Sequence, residues 1–228
     1  MDKKKYLVIV PARAGSKGIP FKNLLEIDGK SLIGHAITVA LDLNLNIDVV
    51  LSSESDQILK EGLKYGARLH KRPEHLATDS ATTVSVVEDV LKDIKYIPDL
   101  IIVLQPTSPF RTKDNVIEAV QLVKNNDCDS LVSVCETDNK ILKAFHIDNN
   151  GYAKGIFTNE APFMPRQSLP KIYKANGAIF IVKPSVIQTH KRLYGEKLIT
   201  YIMSKETSLD IDSVEDLRGF DHKLFEVR

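Results

Sequence analysis

The chain has 228 residues, with 31 Lys and Arg against 30 Asp and Glu and a formal net charge of +1. So even a balance argues against generic binding to a nucleic-acid backbone, which calls for a basic excess. A hydrophobic fraction of 43% and a charged fraction of 27% exclude wholesale disorder, and a chain this long buries roughly 70% of its unfolded surface without needing a disulfide or structural metal.

The start, Met1-Asp2-Lys3-Lys4-Lys5, is positively charged. The apolar run behind it ends at Pro11-Ala12-Arg13, too short for a signal-peptide core with its cleavage site. No apolar run approaches the roughly 20 residues of a membrane span. The expectation is a soluble, cytoplasmic protein of one domain over residues 1–228. Tyr6 to Val10 is a continuous apolar run, as in a strand buried on both faces. Leu32, Ile33, Ala36, Ile37, Ala40 and Leu41 recur at helical spacing behind Ser31, a cap residue. Asp48 to Ser53 predicts a second strand, and a helix from Asp56 stops at Gly66. Val84, Val87, Val90, Leu91 and Ile94 mark another helix, and Leu100 to Leu104 a third buried strand, closed by Pro106 and Pro109. Thr112 caps a helix carrying Val116, Ala119, Val120 and Val123, and Leu131 to Val134 is a fourth strand. Cys128 and Cys135 flank it about 23 Å apart at ~3.3 Å per residue, beyond the roughly 7 Å that a disulfide spans, so reduced thiols are expected.

This alternation predicts an α/β fold: an open, mostly parallel twisted sheet with helices on both faces, Rossmann-like in architecture. Between 138 and 173 the pattern changes. Asn150-Gly151 between Phe145-His146-Ile147 and Ile156-Phe157 predicts a hairpin with a type I′ turn, and Pro162, Pro165 and Pro170 block regular structure beyond it. Residues 138–173 are therefore a protruding insertion. The core resumes with a strand at Gly177–Val182, a helix near Pro184–Arg192, a strand at Leu198–Ile202 and a last helix from Ser213.

Sheets of this kind bind ligands beyond the carboxyl ends of their strands, so the loops after Val10, Ser53 and Leu104 matter most. The first, Pro11 to Asn23, holds Arg13, Lys17 and Lys22 and no acid, while Gly15 and Gly18 let backbone N–H groups approach a ligand. Cations and N–H groups wrapped after a buried strand suit a polyanion such as a triphosphate. The nucleotide-kinase loop needs Gly-Lys followed by Ser or Thr, and the dinucleotide fingerprint needs three spaced glycines; neither is present. Asp210 and Asp212 are two residues apart, so in an extended segment both side chains leave one face with Cα atoms about 6.6 Å apart, a spacing that suits one hydrated Mg²⁺. Asp212 or Ser213 could instead cap the last helix, and Thr82 or Thr83 the helix that starts at Val84.

The loop Pro11–Asn23, the segments Arg72-Pro73-Glu74-His75-Leu76-Ala77-Thr78-Asp79, Leu104-Gln105-Pro106-Thr107-Ser108-Pro109-Phe110-Arg111 and Met164–Pro170, then Asn176-Gly177-Ala178-Ile179-Phe180 and Ser208-Leu209-Asp210-Ile211-Asp212, follow one another along nearly the whole chain. In this order they resemble the CMP-N-acylneuraminate cytidylyltransferase family, the enzymes that activate nine-carbon acidic sugars. The resemblance implies transfer of CMP from CTP to N-acetylneuraminate with release of pyrophosphate, Mg²⁺ as cofactor, and a homodimer in which the insertion reaches the partner. It implies that Arg13, Ser16, Lys17, Lys22 and Asn23 hold CTP, that Arg72, Ala81 and Thr83 surround the cytosine, and that Asp210 and Asp212 hold the metal. Family members often carry Ser at the position of Thr83, which keeps the hydroxyl. Gln105, Lys143, Arg166, Asn176 and Phe180 fall to the acceptor sugar; Arg166 suits its carboxylate, and Phe180 lacks the hydroxyl that many relatives carry there. Gln105 could also tie down the Pro106–Pro109 turn, and Lys143 could be a surface charge. Arg13 and Lys17 are the expected catalytic cations, and Asp212 or a metal-linked hydroxide stays open as the base. A CMP-legionaminate or CMP-pseudaminate synthetase is the alternative within the family, and a non-catalytic nucleotide-binding regulator the alternative outside it.

Overall fold

The computed structural model describes residues 5–16, 18–218, 220 and 222–223. Its strands in chain order are β1 (Tyr6–Pro11), the short pair β2 (Glu26–Ile27) and β3 (Lys30–Ser31), β4 (Ile47–Ser53), β5 (Arg68–Lys71), β6 (Leu100–Val103), β7 (Ser130–Thr137), the hairpin β8 (Phe145–Ile147) and β9 (Ala153–Gly155), β10 (Ile172–Val182), β11 (Leu198–Met203) and β12 (His222–Lys223). The α-helices are α1 (Leu32–Leu41), α2 (Asp56–Lys64), α3 (Thr83–Asp93), α4 (Lys113–Asn125) and α5 (Pro184–His190).

Seven strands form one sheet in the order β11-β7-β10-β6-β1-β4-β5. All neighbours are parallel except β10, which runs antiparallel to both β6 and β7. The alternation of β1 shows why the sheet is covered twice. Tyr6, Val8 and Val10 face α1, α2 and α4, while Leu7 and Ile9 face α3 and α5, and all five side chains are buried. Each of the first four helices starts on a hydroxyl: Ser31, Ser55, Thr82 and Thr112 accept the N–H of Gly34, Ile58, Ser85 and Asn115. Gly66, at φ 86°, turns the chain away after α2, as its place in the sequence predicts.

One strand goes unpredicted, and three local expectations change. Strand β5 has no apolar run, because at the sheet edge only His70 of its four residues is buried. Strand β10 starts at Ile172 rather than Gly177, and its register shifts between Ala175 and Phe180, with Gly177 at φ 73° inside the irregular stretch. The hairpin turn is not type I′, which requires positive φ at both central residues: Gly151 N–H donates to the Asp148 carbonyl and Gly151 alone of this turn has positive φ, 83°. The returning strand is accordingly Ala153–Gly155, not Ile156-Phe157. The last helix is a single 3₁₀ turn, Val214–Leu217, capped by Ser213.

A third, small apolar cluster positions the loops. Ile19 from the loop after β1 packs with Leu25, Ile27, Leu32, Ile211 and Leu217. Residues at opposite ends of the chain are thereby fastened together, and the Ile211 N–H is tied at 2.8 Å to the Thr107 carbonyl of the loop after β6.

Candidate active site

The loops after β1, β5 and β6, the start of α3 and the segment carrying Asp210 and Asp212 line a cavity of about 510 Å³ beyond the carboxyl ends of the parallel strands. Gly18 is where the glycine-rich loop meets the acids: a Cβ there would collide with the Asp212 carbonyl oxygen. Lys22 Nζ lies 2.8 Å from Asp212 Oδ1. A cation and a carboxylate separated by 190 residues in sequence thus face one space.

Arg13, Ser16, Lys22, Asn23, Arg72, Ala81, Thr83, Gln105, Asp210 and Asp212 all line this cavity. Arg13 pairs with Asp79 at 2.7 Å. Asn23 is buried and its amide donates to the Arg13 carbonyl at 2.8 Å, so it shapes the loop that carries the cation. Arg72, 5% exposed, is held by Glu54. Thr82, not Thr83, caps α3, which leaves the Thr83 hydroxyl out of the cap. The Gln105 side chain does not fasten the proline turn; that is done by its carbonyl, which accepts from Ser108 N–H and from Arg111 Nη1. Its amide oxygen instead lies where a Cβ at Gly177 would come within 2.7 Å of it.

The other sugar-side residues lie apart from this cavity. Asn176 lines a second cavity of about 540 Å³, which shares Asp210 and Asp212 with the first. Its Oδ1 accepts from Ser133 Oγ and the Ala178 N–H, and its Nδ2 donates to Ser208 Oγ, so the side chain holds the β10 irregularity. Arg166, paired with Asp138 at 3.3 Å, and Lys143, at the end of a 3₁₀ turn, both lie between β7 and β10. Phe180 is half-buried in the cluster between sheet and α3 and lines neither cavity. Lys17 lies outside the described residues.

Ser213 makes the final cap, its hydroxyl and N–H donating to Asp216, so Asp212 keeps its carboxylate for the cavity, where it is 74% exposed. Asp210 is different. Its Oδ1 is buried without a hydrogen-bond partner. Burial raises its pKa above the ordinary carboxylate value, the Asp212 charge adds to the rise, and the Thr107 hydrogen bond and Lys22 oppose it. An orphaned carboxylate oxygen beside a second carboxylate fits a divalent cation completed by ligand phosphates, so these residues suit the Mg²⁺ expected from the sequence.

Sequence reasoning assigned no role to Glu54, Thr107, Asp79 or Arg111. Arg111 is 2% exposed, spans the carbonyls of Gln105 and Ala178 at 3.1 and 2.7 Å, and burial pushes its pKa down to about 9. Glu54 opens the loop after β4, one of the three that topology singles out.

The cytidylyltransferase family profile matches residues 7–225. The chain belongs to the cytidylyltransferase family. It is 32% identical over 214 residues to the N-acylneuraminate cytidylyltransferase of Streptococcus agalactiae serotype V, covering 93% of this chain and 51% of that protein. The chain thus spans about half the length of that relative. It is 34% identical to the CMP-N,N'-diacetyllegionaminic acid synthase of Legionella pneumophila, over 93% of both chains. Among solved structures, a CMP:2-keto-3-deoxy-manno-octonic acid synthetase complexed with CTP superposes with a TM-score of 0.71 at 18% identity, covering 94% of this chain and 95% of that one, and so shares the fold. Among the described residues no helix of this family member is long and apolar enough to cross a membrane.

Proposed function

We propose that this family member transfers CMP from CTP to the anomeric hydroxyl of N-acetylneuraminate, releasing pyrophosphate. The observation that carries the reading is the meeting of the cationic loop and the Asp210–Asp212 pair in one cavity, with Lys22 and Asp212 2.8 Å apart. The hydroxyl attacks the α-phosphorus in line as its proton passes to Asp212, which lines the same cavity, the bond from that phosphorus to the oxygen bridging to the β-phosphate breaks, and pyrophosphate leaves. Arg13 and Lys22 stand where charge builds on the departing phosphates, and Lys17 belongs to the same loop; fixed cations lower the barrier because they act most on that developing charge. Arg72, Ala81 and Thr83 hold the base, and Gln105 orients the acceptor. Bound between Asp210 and Asp212, Mg²⁺ would supply further charge neutralisation on the phosphates. Both thiols are free, which suits the reducing cytoplasm.

The acceptor side draws on the insertion, where Arg166 would meet the sugar carboxylate of a partner's site, with Lys143 nearby on the same arm. Phe145, Ile147, Phe157 and Phe163 of this arm are exposed apolar side chains, which supports a homodimer joined through it. Sedimentation at micromolar concentration is expected to show a dimer, and a strict monomer counts against it. Legionaminate is the second reading for the acceptor, favoured by 34% identity along nearly all of both chains. One assay separates the readings: CTP, Mg²⁺ and a panel of nonulosonic acids, with pyrophosphate measured. Release is expected with CTP, abolished by chelation and absent with ATP, GTP or UTP; no release with any acceptor sinks the transferase reading.

A further inference from the structure

We propose that Glu54 is a positioning residue that sets the separation between the base end and the phosphate end of the nucleotide cavity. The proposal rests on the nucleotide reading above and assigns a role to a residue that touches no ligand. Glu54 is 8% exposed and its two carboxylate oxygens face different parts of the site. Oε1 accepts the Ala14 N–H at 2.6 Å, in the loop between Arg13 and Gly15. Oε2 accepts Nε and Nη2 of Arg72 at 3.1 and 2.8 Å. The remaining guanidinium nitrogen, Nη1, is left as the donor of an arginine that lines the cavity.

The backbone around Glu54 is fixed on both sides. Ser53 Oγ accepts the Ser55 N–H, Ser55 caps α2, and the Arg72 N–H donates to the Ser53 carbonyl. A carboxylate held this firmly transmits a shift of Arg72 to Ala14 and the reverse. The chemistry also requires a full negative charge. With Gln in its place, an amide NH₂ would face either a backbone N–H or the guanidinium, donor against donor, and the buried Arg72 cation would lose its counter-charge.

The test is calorimetric titration of the full chain, wild type against Glu54→Gln and Glu54→Asp, with CTP, UTP and inorganic tripolyphosphate. Glu54→Gln is expected to weaken CTP about tenfold or more, the scale of a lost hydrogen bond to a charged group. It is expected to weaken tripolyphosphate as well and to narrow the preference for CTP over UTP. Glu54→Asp keeps the charge and is expected to recover part of that preference; if Glu54→Gln does not fold, this variant carries the comparison, and a wild-type preference in it overturns the proposal. A folded Glu54→Gln protein with CTP affinity within threefold of wild type and an unchanged CTP:UTP ratio overturns it too. Wild-type protein that binds CTP but forms no CMP-sugar would sink the transfer reading and leave the Glu54 comparison standing.

Discussion

Lys22 is the described cation whose surroundings are most telling, because its side chain is largely buried while its ammonium meets an exposed carboxylate. Replacing it with Ala removes a fixed positive charge from the cavity without disturbing the sheet. Pyrophosphate release by Lys22→Ala is expected to fall in kcat by about 10²–10³, as when one oxyanion donor is lost; steady-state rates within threefold of wild type would remove Lys22 from the chemistry. At this scale the sequence shows residue types but not pairings. The run Arg13 to Asn23 is legible as a cationic loop because its charges are local. The contacts of Arg13 with Asp79 and of Arg72 with Glu54 depend on segments 66 and 18 residues away, which only the folded sheet brings together. Asn176 was legible as a special residue, but its hydrogen bonds to Ser133, Ala178 and Ser208 serve the β10 irregularity, which no local pattern announces.

At the scale of elements, the small cluster around Ile211 decides whether the acids face the cations. Ile211 is fully buried between Asp210 and Asp212 and packs with Ile19. Ile211→Ala is expected to destabilise the protein by about 2–5 kcal/mol, the range for opening a cavity in a packed core, measured by denaturant unfolding. It should also lower pyrophosphate release, since the carboxylates lose the anchor that aims them. A variant as active and as stable as wild type would show that the cluster does not position the site. The strands with continuous apolar runs, β1 and β6, were legible because burial on both faces leaves a plain signature. The edge strand β5, with three of its four residues not buried, and the 3₁₀ turn after Ser213 were not, because tertiary pairing rather than composition makes them.

At the scale of the whole molecule, one buried and one half-buried imidazole link stability to pH. Burial holds His70 below the ordinary value of 6.5, against the pull of Asp93 and Asp89, and its Nδ1 lies 3.0 Å from Ser52 Oγ. Burial likewise lowers His35, whose Nε2 meets the Ile27 carbonyl at 2.9 Å. On acidification the unfolded chain takes up these protons before the folded one does. Their contribution is therefore complete above pH 6.5 and is lost as the pH falls through the lower folded values. The urea midpoint is expected to drop between pH 7.5 and pH 5.5, and to drop less in His70→Gln; equal losses in both proteins would clear His70 of the effect.

Ile19 and Ile211 leave the ribosome nearly two hundred residues apart, yet the pocket needs them side by side. Strand β1 and its cationic loop are made early, whereas the carboxylates arrive only after β11. A nascent chain therefore presents its cationic loop long before the acids that complete the cavity are made. Translation arrested short of Ile211 would leave Ile19 without the partners that join the loop after β1 to the far end of the chain.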